Sequence, residues 1–412
     1  MTAVTCRHCG APLTQSFCDL GPQPASNSFI KPEDAARPEP FYALNVFVCG
    51  TCLLVQLPEH KGADQIFNDD YVYFSSFSES WLAHARAYCA MAAERFALDP
   101  TSQVIQIGSN DGYLLQYFAH LGVPVLGIEP AANVAAAAEA KGVPTMVRFF
   151  GRLMAQELAA KGRTADLLLG NNVLAHVPDI NDFVAGMKIA LKPAGTITME
   201  FPHLARLIEG VQFDTIYQEH YSYLSLTAVN RIFDYHGLAI FDVDELPTHG
   251  GSLRIYARHA ERATPERTPR VAEVLASERA AGLASIAGYG DFEPRVQEVK
   301  RALLAFLIEA KRKGKRIVAY GAAAKGNTLL NYCGIRTDFI DFVVDRNPAK
   351  QGRLLPGTRI PVRRPDAIAE ARPDFVLILP WNIRDEIVAA LDVIRTWGGK
   401  FVVPIPEVEI ID

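Results

Sequence analysis

Long apolar runs are missing from this chain. No stretch approaches the roughly 18 consecutive apolar residues that a membrane-spanning helix needs, so no membrane span is expected. A positive excess is missing too. Lysine and arginine number 41 against 46 acidic residues, a formal net charge of −5. That leaves no basic face for nucleic acid, and no such partner is expected. The opening MTAVTCRHCG lacks the apolar core of a secretory signal, so a cytoplasmic location is expected. Cysteine is scarce, and seven in 412 residues do not build a disulfide scaffold.

Four of those seven are nevertheless paired. Cys6 and Cys9 form one C-x-x-C, Cys49 and Cys52 a second, with 39 residues between the pairs. Two thiolate pairs can close a tetrahedral shell around one ion and leave no open coordination position, which predicts a structural zinc site. The alternative is two unrelated thiol pairs, or one redox pair.

Beyond about Ser80 short apolar stretches alternate with helical ones. QVIQIGSNDGYLLQYF reads as strand, glycine turn and helix, and PVLGIEPAANVAAAAEAKG repeats the theme. ADLLLGNNVLAHVPD and GTITMEFP supply further strands. The alternation predicts a parallel sheet covered by helices on both faces, with ligands at the carboxyl ends of its strands. Gly108 and Gly112 allow a tight turn, and Glu129 follows Gly108 by 21 residues, a spacing that suits a carboxylate on ribose hydroxyls. Asn110 occupies the middle glycine position of a dinucleotide fingerprint, and Asp111 follows it. An acid there would repel a pyrophosphate but tolerate an ammonium and a sulfonium, which favours S-adenosylmethionine over NAD.

VIQIGSNDGYLL, GIEP and NNVLAHVPD resemble the cofactor motifs of class I methyltransferases. Together with the C-x-x-C pairs, YVYFSS, YQEHYSYLS and YGAAAKGNTLLNY, they resemble the sugar C-methyltransferases of deoxysugar pathways over nearly the whole chain. The nearest likeness is to enzymes that methylate carbon-3 of a TDP-linked 4-keto-deoxysugar. The resemblance implies an α/β protein of three parts: a zinc-binding module over 1–75, a Rossmann-like class I methyltransferase domain over 76–262, and a Rossmann-like nucleotide-sugar-binding domain over 263–412. Gly108, Asn110, Asp111, Gly112, Glu129, Asn171 and Asn172 fall on its cofactor motifs.

Methylating carbon requires removing a proton beside a ketone, hence a base and donors for the developing oxyanion. DTIYQEHYSYLSL holds those chemical types. By resemblance His220 is the base, Glu219 tunes it, Tyr217 lies near the sugar, His176 faces the same pocket, and Tyr71 arrives from the junction with the zinc module. Neighbours in an extended stretch point to opposite faces, so Glu219 and His220 can share a pocket only across a turn. Tyr221 and Tyr223 are expected to pack, and THGGSLR to be a turn between strands, with substrate contact as its alternative.

The last part repeats the winding. RIVAYGAAAKGNTLLNY is strand, turn and helix, FIDFVVDRNPAKQG a strand ending in Asp345, and DFVLILPWNIRDEI a strand before another helix. Lys325 and free amides at a helix N-terminus suit an anion. The resemblance implies that this part holds the sugar's nucleotide diphosphate, with Lys325, Asn327, Asp345 and Asn382 as contacts. The expected partner is therefore a nucleotide-sugar substrate, and a monomer suffices. An NAD-dependent oxidoreductase, an O- or N-methyltransferase and a non-enzymatic scaffold are the rival readings.

Overall fold

The computed structural model describes residues 4–67, 71 and 73–412. The first strands are β1 (Gln15–Pro24), β2 (Phe41–Val48) and β3 (Val55–Gln56), an antiparallel group beside the four cysteines. Then come β4 (Val104–Ile107), β5 (Val125–Ile128), β6 (Thr145–Met146), β7 (Ala165–Asn171) and β8 (Leu191–Pro202). The two-residue β9 (Ser222–Tyr223) precedes β10 (Leu238–Leu246) and β11 (Ser252–His259).

Apolar side chains fill β4, β5 and β7 on both faces, the pattern of strands buried between helix layers. They pair in parallel in a seven-stranded sheet ordered β10-β11-β8-β7-β4-β5-β6. The long β10–β11 hairpin adds antiparallel strands on the β8 edge. Between β4 and β7 the winding reverses direction, which opens a crevice at their carboxyl ends.

β9 does not join that sheet. It leaves the central unit and pairs with β3, completing the four-stranded order β1-β2-β3-β9.

The helix Phe292–Arg312 buries Val296, Val299, Leu303 and Leu307 along one stripe. It leads into β12 (Ile317–Tyr320), β13 (Val343–Val344), β14 (Val362–Arg363), β15 (Phe375–Ile378), β16 (Lys400–Val403) and β17 (Glu409–Ile411). Their order β14-β13-β12-β15-β16-β17 is a second doubly wound sheet. One core joins it to the first strands: Phe17 stacks on Phe292 at 4.6 Å, and Ile30 pairs with Leu354. No helix among the described residues is long and apolar enough to cross a membrane.

Candidate active site

Four cysteine sulfurs converge within 4.8 Å of one another. Cys6 and Cys52 lie 3.5 Å apart, as do Cys9 and Cys49. A tetrahedral zinc with about 2.3 Å bonds to sulfur needs sulfurs about 3.8 Å apart, so this donor set fits a closed zinc site. The Thr51 N–H approaches Cys49 Sγ at 3.4 Å, and Gln56 Nε2 donates to Cys6 Sγ at 3.1 Å. Such donors suit thiolates.

A cavity of about 540 Å³ opens at the carboxyl ends of β4 and β7. Gly108, Asn110, Glu129, Asn171 and Asn172 form one wall. Gly108 holds φ +63°, and a Cβ there would press within 3.1 Å of Val173. The Glu129 carboxylate accepts the Asn110 N–H at 2.9 Å and the Ala131 N–H at 3.0 Å. Burial outweighs these bonds and pushes its carboxyl up to about 7. Asn110 also ties down the segment across the cavity, its Oδ1 accepting the Ser75 N–H at 2.8 Å. The Asn171 Nδ2 and Asn172 Oδ1 atoms are buried without partners, as groups awaiting a polar ligand would be.

Asp111 and Gly112 are not in that lining. Asp111 turns aside to Lys141, with Oδ2 and Nζ 3.0 Å apart. Its charge is neutralised there, so the expectation that it faces the ligand does not match its position. Gly112, at φ +75°, packs against Ala138 and Val143 and shapes the turn from behind.

The same cavity is lined by Tyr71, His176, Tyr217, Glu219 and His220. A turn closed by the His220 N–H on the Tyr217 carbonyl at 2.9 Å lets Glu219 and His220 share it. His220 Nδ1 donates to the Thr215 carbonyl at 2.7 Å, leaving Nε2 as acceptor. Burial, then His176, push this imidazole well below its ordinary value, so it is neutral at pH 7. The His176 ring lies 4.6 Å away edge-on and the Tyr217 ring 4.0 Å away. Burial takes His176 down to about 4. Glu219 accepts from Asn27 Nδ2 at 2.6 Å; burial raises its carboxyl, while Asn27, Lys61 and Tyr71 oppose the rise. Tyr71 packs on Phe67.

Lys325 reaches the same cavity from the second wound unit. Its Nζ donates to Asn382 Oδ1 at 2.6 Å and lies 4.8 Å over the Trp381 ring. Burial lowers its pKa, and Asp214 opposes that. Asn382 thus acts behind Lys325. Asn327 and Asp345 also stand behind the lining. The Asn327 amide is buried with no partner on either atom, and Asp345 accepts the Ala322 and Asn347 N–H groups at 2.8 Å each.

Sequence reasoning left many other lining residues unassigned, among them Trp81, His249 and Lys350; Tyr223 packs in the core as expected and also reaches the lining. A histidine before two glycines was the available signal for His249.

Three family models match in succession: a zinc binding domain over 6–67, a methyltransferase domain over 81–243, and a C-methyltransferase C-terminal domain over 247–406. The C-methyltransferase NovU of Streptomyces niveus is 36% identical over 406 residues, covering 98% of this chain and 96% of that one. A ubiquinone biosynthesis O-methyltransferase of Rhizobium rhizogenes is 32% identical over 130 residues, 29% of this chain and 50% of that one. Among solved structures, the CcbJ methyltransferase of Streptomyces caelestis aligns at 14% identity and a TM-score of 0.37, covering 47% of this chain and 98% of that one. Similar to NovU from end to end, and matched in turn by zinc-binding, methyltransferase and C-methyltransferase C-terminal domain models, this chain belongs to the zinc-containing, S-adenosylmethionine-dependent C-methyltransferases.

Proposed function

We propose that this enzyme methylates the carbon beside the ketone of a TDP-linked 4-keto-deoxysugar, at carbon-3, with His220 as the base. The observation that carries the reading is the tautomer of His220. Its proton is held on Nδ1 by Thr215, which leaves a neutral Nε2 lone pair on a residue that lines the cavity the cofactor turn also lines.

When bound, S-adenosylmethionine supplies an activated methyl group that needs no protein nucleophile. Glu129, Asn110, Asn171 and Asn172 would hold it, with Gly108 giving it room. His220 takes the proton from carbon-3 onto Nε2, and the electron pair left behind becomes an enolate. The held cofactor would supply the methyl, its carbon–sulfur bond breaking as the carbon–carbon bond forms, with S-adenosylhomocysteine as the leaving group. Tyr217 and His176 bind or polarise the keto group, Glu219 tunes His220, and Tyr71 closes the edge. Buried donors aimed at a developing oxyanion contribute far more than the same donors in water. Lys325, Asn327, Asp345 and Asn382 belong to the unit that grips the nucleotide diphosphate, Lys325 by charge and the others by shaping its surroundings. One copy carries all these groups, so a monomer suffices for the reaction.

Incubating the enzyme with a TDP-4-keto-deoxysugar and S-adenosylmethionine tests this. The expected product carries its new methyl on carbon-3 by NMR. A methyl on oxygen or nitrogen, or no transfer to any keto-sugar nucleotide, would overturn it.

A further inference from the structure

Thr248–Gly250 forms a tight turn between β10 and β11, and its middle residue, His249, has φ of 55°. That left-handed conformation costs a residue with a Cβ on the order of 1 kcal/mol, and it persists where surroundings impose it. Glu200, fully buried near the end of β8, imposes it here. Its carboxylate accepts from the Thr248 hydroxyl at 3.0 Å, from Arg254 at 2.6 Å and from His84 at 2.9 Å. On the other side Gly250 packs against Trp381, whose ring a Cβ would strike.

The turn delivers His249 into the cavity. The Trp81 ring packs on it at 4.9 Å, and its Nε2 lies 2.9 Å from Asn172 Nδ2. An amide nitrogen only donates, so Nε2 accepts and the proton of the neutral ring sits on Nδ1. Burial, then the Lys325 charge, take this imidazole down to about 4, while Glu200 opposes them and His84 adds to the fall. His220 carries the reverse arrangement, with Nδ1–H engaged and Nε2 open. Two neutral imidazoles of opposite polarity therefore serve one cavity, one as acceptor and one as donor.

We propose that His249 is a further catalytic residue, its Nδ1–H donating to the keto oxygen and stabilising the enolate while His220 removes the neighbouring proton. This rests on the function proposed above. The carbon–hydrogen bond breaks, its proton goes to His220 Nε2, its electron pair passes toward the keto oxygen, and His249 keeps its own proton. A neutral donor suits this task, because it need not be neutralised first.

The test uses the full chain and a TDP-4-keto-deoxysugar in deuterium oxide without methyl donor, following exchange of the proton beside the ketone. His249→Phe should slow exchange and kcat on the order of 100-fold, the usual loss for one oxyanion donor, with the protein folded and S-adenosylhomocysteine still bound. His249→Asn, which restores an N–H, should recover most of the rate. Wild-type exchange by His249→Phe would overturn the assignment alone. So would equal failure of both variants accompanied by lost S-adenosylhomocysteine binding, which marks a structural role. No exchange by the wild-type enzyme would overturn both this assignment and the function beneath it.

Discussion

His220 is set by one hydrogen bond and by dry surroundings. The Thr215 carbonyl fixes its tautomer, and burial keeps it uncharged. Because its pKa lies well below 6.5, the base form is already full at neutral pH. The acid limb of kcat/KM should therefore fall well below the ordinary histidine value. Glu129 works the other way. Its free carboxyl is raised to about 7, and ribose hydroxyls favour the ionised form. Ligand binding should therefore lower its pKa, so affinity should rise with pH up to about 7 and level off above. Titration calorimetry with S-adenosylhomocysteine between pH 6 and pH 8 checks this, and Glu129→Gln should flatten the curve. Much of this site could be read from residue types: a histidine between a tyrosine and a glutamate, an acid one strand beyond a glycine turn. That Glu219 and His220 share a cavity could not, because the turn from Tyr217 to His220 breaks the two-residue alternation. Nor could the retreat of Asp111, which depends on Lys141 arriving from another helix.

At the level of elements, the zinc knuckle is wired to the base. Cys52 precedes β3 by three residues, β3 pairs with β9, and β9 begins two residues after His220. Gln56 binds the knuckle twice, donating to Cys6 Sγ at 3.1 Å and accepting the Arg7 N–H at 2.8 Å. The Leu57 N–H donates to the Tyr221 carbonyl at 3.0 Å and extends the same ladder. Chelating the metal should therefore loosen β9. The expected result is faster amide exchange at Ser222 and Tyr223, with methyl transfer lost in step and S-adenosylhomocysteine affinity little changed. Gln56→Leu should weaken zinc retention and give a milder version of the same pattern. Unaltered exchange at β9 after metal loss would contradict the link. The cysteine spacing made the knuckle legible, but its connection was not. Two-residue strands carry no periodicity, and their register comes from tertiary packing.

Across the whole molecule, two doubly wound sheets turn their strand ends toward one cavity. Trp381 spans the gap, donating Nε1–H to Asp214 Oδ2 at 2.8 Å while its ring supports Lys325. Trp381→Ala and Lys325→Met should each raise KM for the sugar nucleotide, about tenfold if one such contact contributes roughly 1.4 kcal/mol, and leave cofactor affinity alone. Steady-state kinetics with each substrate varied in turn checks this. Both wound units were legible, since buried strands, glycine turns and helices follow one another in the sequence. The THGGSLR turn between strands was legible too, and β10 and β11 pair across it; the antiparallel pairing of β11 with β8 was not.

The central claim is that His220 draws a proton from carbon before any methyl moves. Its most direct test is deuterium uptake beside the ketone of a TDP-4-keto-deoxysugar, with no methyl donor present, by wild type and by His220→Asn. Uptake by the wild type and none by the variant, with S-adenosylhomocysteine binding intact in both, is the expected result. Equal uptake by the two would contradict it.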